Sequence, residues 1–106
     1  MKSTFLPLAA LCFAVLLAPV AHAQDAGADI YKAKCMMCHG PDGLGNTPAG
    51  KLAKILSYKD PSIVQKPDAD LAAILKTGKN KMPAFSTKLS DDQIGAVVAY
   101  IRTLQK

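Results

Sequence analysis

The stretch Cys35-Met36-Met37-Cys38-His39 holds two cysteines separated by two residues and followed directly by a histidine. When such a stretch is helical, its two thiols lie about one turn apart, where both can add to the vinyl groups along one edge of a porphyrin. The imidazole that follows is then carried beneath the ring, where it can bind iron. The spacing therefore predicts covalent haem c on Cys35 and Cys38, with His39 as the proximal iron ligand.

Other uses of a C-x-x-C pair fit the surrounding sequence less well. A thioredoxin-like redox pair belongs to a βαβ unit, and no strand pattern precedes Cys35. A structural zinc site needs four ligands, whereas residues 24–106 offer only Cys35, Cys38 and His39 as typical nitrogen and sulfur ligands. A plain disulfide would explain neither His39 nor the long loops described below.

Met82 is the predicted occupant of the second axial position of the iron. No histidine other than His39 follows residue 23, and Met36 and Met37 lie within the attachment stretch on the proximal side. Pro83 follows Met82 and fixes the backbone dihedral there, which keeps this loop stiff. Many methionines only fill a core, but without Met82 the iron would lack any sixth protein ligand except lysine.

Residues 1–23 are predicted to be a cleavable signal peptide. Lys2 gives a positive start, an apolar run follows, and Ala21-His22-Ala23 has the small-x-small pattern that a signal peptidase cuts. The alternative is a membrane anchor, but a span needs about 20 apolar residues, and two prolines interrupt this run. Cleavage leaves residues 24–106 as one domain, which we expect in the periplasm without stable membrane insertion.

The size and charge of residues 24–106 limit what this domain can be. A hydrophobic core alone is marginal at this size, so a disulfide, a metal or a cofactor is expected to reinforce it. The whole chain has 13 Lys and Arg against 8 acidic residues, and the loss of Lys2 leaves a net charge of +4. This excess is too mild, and the chain too poor in arginine, to indicate nucleic-acid binding. It favours docking against an acidic protein surface.

The apolar pattern predicts an all-α fold of three main helices with long loops. Asp25 is expected to cap the first helix, which ends near Lys34, and Asp68 to cap the second, which stops at Gly78. A capping box of Ser90 and Gln93 starts the third helix, and Leu89 and Ile94 stand at its hydrophobic-staple positions. The apolar residues of this last helix recur at helical spacing: Ile94, Val97, Val98, Ile101 and Leu104.

The segments between these helices are rich in glycine and proline. We expect loops over residues 40–50 and 60–67, with a short helical turn over residues 51–57. Loops of this length are unusual in a bare domain so small, and they are explained if they wrap around a large ligand.

Residues 24–106 resemble the class I cytochromes c, particularly the short bacterial type. The resemblance rests on the first helix, on C-M-M-C-H-G at 35–40, on the glycine and proline loop, on K-M-P-A-F at 81–85 and on the last helix. It implies the cytochrome c fold, in which the first and last helices cross closely. Gly27 would lie at the contact point, with Tyr31 near Val97 and Tyr100.

The family also implies details of the haem site. The carbonyl of Pro48, or alternatively that of Pro41, would accept a hydrogen bond from the second ring nitrogen of His39 and fix its orientation. The chain departs from longer family members because it lacks tryptophan. This leaves open whether Tyr58 or Lys59 meets a haem propionate.

Electron relay is the predicted function, performed by a monomer that is not an enzyme. A bound subunit that accepts electrons within a dehydrogenase complex would use the same chemistry. A peroxidase or gas-sensing haem protein would need an open iron position, which Met82 argues against. Lysines expected around the exposed haem edge would guide acidic redox partners: Lys34, Lys76, Lys79, Lys81 and Lys88.

Overall fold

A computed structural model describes residues 3–4 and 20–106, with side chains described from Asp25 onward. Within these residues the chain is helical, and the only β pairing is an isolated bridge between Lys79 and Met82. The all-α prediction is therefore confirmed. The predicted signal peptide lies mostly outside the described residues and stays a prediction. No described helix is both long and apolar enough to cross a membrane.

The first and last helices, α1 (Val20–Lys34) and α6 (Asp91–Leu104), form the main helix pair. They cross at Gly27, where a β-carbon would overlap the backbone carbonyl of Ala96. Tyr31 and Val97 are buried at 1% and 0% exposure, and the rings of Tyr31 and Tyr100 have centroids 5.1 Å apart. The helix crossing predicted at Gly27 is confirmed.

The beginning of α6 follows its sequence signals. The Ser90 hydroxyl accepts from the Gln93 backbone N–H, and the Gln93 side chain accepts from the Ser90 N–H, which completes the capping box. Leu89 and Ile94 are both buried. These contacts satisfy N–H groups that have no partner within the helix and fix the direction in which the chain enters it.

Two predicted helix caps are wrong. Helix α1 begins at Val20, so Asp25 lies inside it, since no glycine or proline interrupts the chain between Pro19 and Gly27. Helix α5 (Asp68–Thr77) has Pro67 at its N-cap, and Asp68 is its first helical residue. The carboxylate of Asp68 binds Arg102 instead of capping the helix. Gly78, with a φ of +74°, ends α5 as predicted.

Three short helices lie in the segments between the long ones. They are α2 (Met36–His39), α3 (Pro48–Ala53) and α4 (Pro61–Val64). The turn expected over residues 51–57 lies earlier, because Thr47 caps α3 and Pro48 occupies its first turn. Asp60 and Pro61 start α4 in the same way, inside a segment predicted as loop. Threonine or aspartate followed by proline is a helix-start signal, because the side chain caps the helix and proline fits its first turn.

Candidate functional site

An open apolar cleft of about 280 Å³ lies between α2, α5 and the segments that follow α3 and α5. Its lining includes all four residues selected from the sequence, which are Cys35, Cys38, His39 and Met82. Aliphatic and aromatic side chains make up most of its remaining wall: Ile55, Leu56, Ile63, Leu71, Ile74, Leu75, Phe85 and Ile101. The fold thus brings residues far apart in sequence to one cavity.

The two cysteines are held by a helical turn that almost continues α1. The Cys35 N–H donates to the Tyr31 carbonyl at 2.8 Å, and the His39 N–H donates to the Cys35 carbonyl at 3.0 Å. Both thiols are free, with Cys35 buried and Cys38 partly exposed. Burial raises the pKa of the Cys35 thiol to about 11. The arrangement confirms that the two thiols lie one turn apart along one cavity.

The His39 ring lines the cavity with its Nδ1 atom buried and without a hydrogen-bond partner among the described residues. The acceptor predicted for this nitrogen, the carbonyl of Pro48 or Pro41, is therefore not in place. Pro48 instead begins α3, and its neighbour Thr47 contacts the attachment stretch, since the Thr47 hydroxyl donates to the Cys38 carbonyl at 2.8 Å.

Tyr58 contacts the His39 imidazole in the absence of that acceptor. The two rings are stacked, with centroids 4.7 Å apart and planes 16° from parallel. Tyr58 also packs against Tyr31, whose hydroxyl donates to the Gly40 carbonyl at 2.6 Å. Burial raises the pKa of both phenols, so both stay protonated. Of the two residues considered near a propionate, Tyr58 lines the cavity, whereas Lys59 is exposed and does not line it.

Met82 is presented to the cavity by a tight turn after α5. Lys79 and Met82 exchange two backbone hydrogen bonds of 3.1 and 2.9 Å, and Asn80 has a φ of +55°. Gly78 is required behind this turn, because a β-carbon there would lie 2.6 Å from the Met82 carbonyl oxygen. Met36 packs on the core and Met37 is 82% exposed, and neither lines the cavity.

The charge at the cavity is all of one sign. Its described lining contains five lysines and no aspartate: Lys34, Lys54, Lys66, Lys79 and Lys81. Lys76 and Lys88, which were expected with them, do not line it. Lys76 pairs with Asp91 at 3.2 Å, and the Lys88 ammonium lies 5.9 Å from the Phe85 ring centroid. Lys54 and Lys66 were missed because only the fold brings their segments to the cavity.

These residues fit a haem attached through both cysteines. The cavity is lined mainly by apolar side chains, as a porphyrin requires, and it presents two free thiols on one helical turn. Burial lowers the pKa of His39 and so favours the neutral imidazole that binds metals. No described carboxylate accepts a hydrogen bond from the buried Nδ1 of His39. A thioredoxin-like site is not supported, since no strand precedes Cys35 in the described chain.

Comparison with known proteins gives the family. The family model described as cytochrome c oxidase, cbb3-type, subunit III matches residues 22–101. Cytochrome c6 of Thermosynechococcus vestitus is 33% identical over 110 residues, which cover 95% of this chain and 91% of that protein.

Two solved structures have the same fold. The KustC0563 c-type cytochrome matches with a TM-score of 0.70 and 26% identity, over 76% of this chain and 98% of that one. A chain of the Kuenenia stuttgartiensis reducing HAO-like protein complex matches with a TM-score of 0.74 and 27% identity, over 85% of this chain and 47% of that one. With its single C-x-x-C-H motif, this chain belongs to the c-type cytochromes, as a small monohaem electron carrier of class I with covalently bound haem c.

Proposed function

We propose that this cytochrome carries single electrons between redox proteins in the periplasm, with His39 and Met82 as the axial ligands of its iron. The observation that carries the proposal is that both side chains line the same apolar cavity as Cys35 and Cys38. When bound, haem c supplies the Fe(II)/Fe(III) couple. The protein supplies the anchors, the ligands and the surroundings of the iron.

The two ligands have different supports in the chain. His39 follows the second cysteine directly, and stacking on Tyr58 limits rotation of its ring. Met82 lies on a turn closed by two backbone hydrogen bonds, so its position does not depend on a flexible loop. Supports of this kind keep the ligands in place when the iron changes charge, which favours fast electron transfer over ligand exchange.

The surroundings of the site favour the reduced iron. A neutral thioether ligand and a low-dielectric pocket both disfavour the extra positive charge of Fe(III), and methionine–histidine ligation raises the reduction potential. The five cavity lysines act in the same direction, since positive charge near the iron also disfavours Fe(III).

The same lysines support redox partners with acidic surfaces. They surround the cavity that would hold the haem, where electrons enter and leave. A partner with carboxylates around its own redox centre would be steered towards this side of the molecule. We propose a monomer that docks transiently, exported by the signal peptide at residues 1–23.

A second candidate is a bound electron-accepting subunit of a dehydrogenase complex. The structural likeness to a chain of a multi-protein complex favours it, as do the exposed side chains of Met37 and Leu52, at 82% and 77%. A free carrier migrates alone in size-exclusion chromatography of a periplasmic extract and exchanges electrons in a concentration-dependent way. A subunit migrates with its enzyme.

The variant Met82→Ala tests the proposed ligation. It should open the iron to small ligands such as imidazole or cyanide and lower the reduction potential, because the thioether no longer favours Fe(II). Met37→Leu is the matched control, since Met37 is exposed and does not line the cavity. Unchanged potential and ligand binding in Met82→Ala would contradict the proposal.

A further inference from the structure

The last turn of α6 carries an arginine that reaches a separate part of the chain. The Arg102 Nε donates to the Asp68 carboxylate at 2.8 Å, and one Nη donates to the Val64 carbonyl at 3.3 Å. The other Nη donates to the Lys66 carbonyl. Arg102 is partly buried, with 26% of its side chain exposed. One guanidinium thus joins three acceptors more than thirty residues away in sequence.

These acceptors lie where a short helix ends and a long one begins. Helix α4 has only four residues, and the carbonyl of its last residue, Val64, accepts no backbone hydrogen bond among the described residues. The planar fork of Arg102 satisfies two carbonyls at this junction and binds Asp68, the first residue of α5. The linked segment also forms one wall of the haem cavity, through Ile63 and Lys66.

A second contact extends this network to another residue of the cavity lining. Arg102 donates to the side-chain oxygen of Gln105 at 3.0 Å, and the Gln105 amide donates to the Tyr58 carbonyl at 3.0 Å. The ring of Tyr58 is the one stacked on His39. The last turn of α6 and its C-cap residue therefore hold the backbone at Lys66 and at Tyr58, two residues that line the cavity.

We propose that Arg102 and Gln105 are positioning residues for the haem site. Arg102 holds the wall that includes Ile63 and Lys66, and Gln105 holds Tyr58 against the imidazole of His39. The second half of this proposal rests on the proposed ligation of the iron by His39. Because neither residue touches the cavity interior, both act through the residues that they fix.

The proposal predicts effects on the cofactor and not only on stability. A loosened wall admits water, and the higher local dielectric favours Fe(III), so Arg102→Lys should lower the reduction potential of the holoprotein. A lysine keeps the charge but cannot bind three separated acceptors with a rigid fork. Gln105→Ala should free the backbone of Tyr58 and change the paramagnetically shifted haem-methyl resonances, which report the orientation of the axial imidazole.

The control is another ion pair between the same two helices. Lys76→Gln breaks the pair with Asp91 on α6, and Lys76 does not line the cavity. It should leave the potential and the haem-methyl resonances at wild-type values.

A purely structural role gives a different result. In that case Arg102→Lys and Gln105→Ala lower the free energy of unfolding but leave both the potential and the haem-methyl resonances unchanged, which would overturn the proposal. If Arg102→Lys yields no holoprotein, the haem-methyl resonances of Gln105→Ala alone decide between a positioning role and a purely structural one. If the proposed ligation of the iron is wrong, the absorption spectrum of the wild-type holoprotein shows this before any variant is made, so the two failures are distinguishable.

Discussion

Gly27 of α1 lies directly against the backbone carbonyl of Ala96 in α6, so that no side chain fits between the two helices at this point. The close approach buries Tyr31 and Val97 almost completely. Tyr31 in turn precedes the haem-attachment stretch and donates to the Gly40 carbonyl that follows it. The helix crossing is therefore linked through one tyrosine to the residues that hold the cofactor.

Gly27→Ala should destabilise the protein. The added methyl group overlaps backbone that cannot rotate away, and overpacking of this kind costs about 1–3 kcal/mol. Gly95→Ala is the matched control in the facing helix, because a β-carbon there meets nothing within 4 Å. It should be neutral or stabilising by up to about 1 kcal/mol. Denaturant unfolding of the two holoproteins measures both effects, and equal stability of the two would contradict the crossing.

Thr47 should matter for the stability of the attachment stretch. Its hydroxyl donates to the Cys38 carbonyl and accepts from the Gly50 N–H, at 2.8 and 2.9 Å. Thr47→Val keeps the shape but removes both bonds, so it should cost about 1–2 kcal/mol. Thr47→Ser keeps the hydroxyl and should remain within about 0.5 kcal/mol of wild type. Thermal unfolding separates the two, and an equally small effect of Thr47→Val would argue against these bonds.

Asp60 should make stability depend on acid pH. Its carboxylate accepts from the Ser62 N–H and hydroxyl at the start of α4, which lowers its pKa below the ordinary 3.8. A lowered folded-state pKa gives stability that is present above the unfolded value and lost as pH falls through the folded one. The advantage of wild type over Asp60→Asn should therefore shrink below pH 3.8. A difference that stays constant with pH in urea titrations would contradict this.

The local sequence signals predicted much of this fold, because each depends on neighbours within a few residues. The C-x-x-C-H stretch and the Ser90 capping box belong to this group, whereas the helix crossing at Gly27 was implied by the family resemblance. The caps assigned to Asp25 and Asp68 are wrong. Helix α1 starts before Asp25, and the Asp68 carboxylate binds a distant partner. That partner is Arg102, and the spacing of residues along the sequence does not predict a contact between two residues so far apart.

The residues proposed to hold the haem were selected from the sequence, but the residues that support them were not. Thr47 and the Tyr58 stack on His39 depend on how α3 and the following segment fold back onto the attachment stretch. Pro48 was expected near His39 by family resemblance, yet it serves to begin α3. Long-range packing of this kind is not encoded in periodicity, so it becomes visible only in three dimensions.

The cavity lysines should control the rate of electron exchange with an acidic partner. Steering by exposed charge fades as the Debye length falls to about 8 Å near physiological ionic strength. Lys79→Glu with Lys81→Glu should slow the exchange at low salt and flatten its salt dependence. Lys59→Glu with Lys106→Glu changes the net charge equally, but neither residue lines the cavity. Stopped-flow rates distinguish the two, and equal slowing by both would mean that only net charge matters.

The near-infrared absorption spectrum of the oxidised holoprotein tests ligation of the iron by Met82, since a charge-transfer band from a methionine sulfur to Fe(III) reports the sixth ligand itself. We expect this band in wild type, in Met36→Leu and in Met37→Leu, and its loss in Met82→Ala. Absence of the band from wild type, or its persistence in Met82→Ala, would contradict ligation of the iron by Met82.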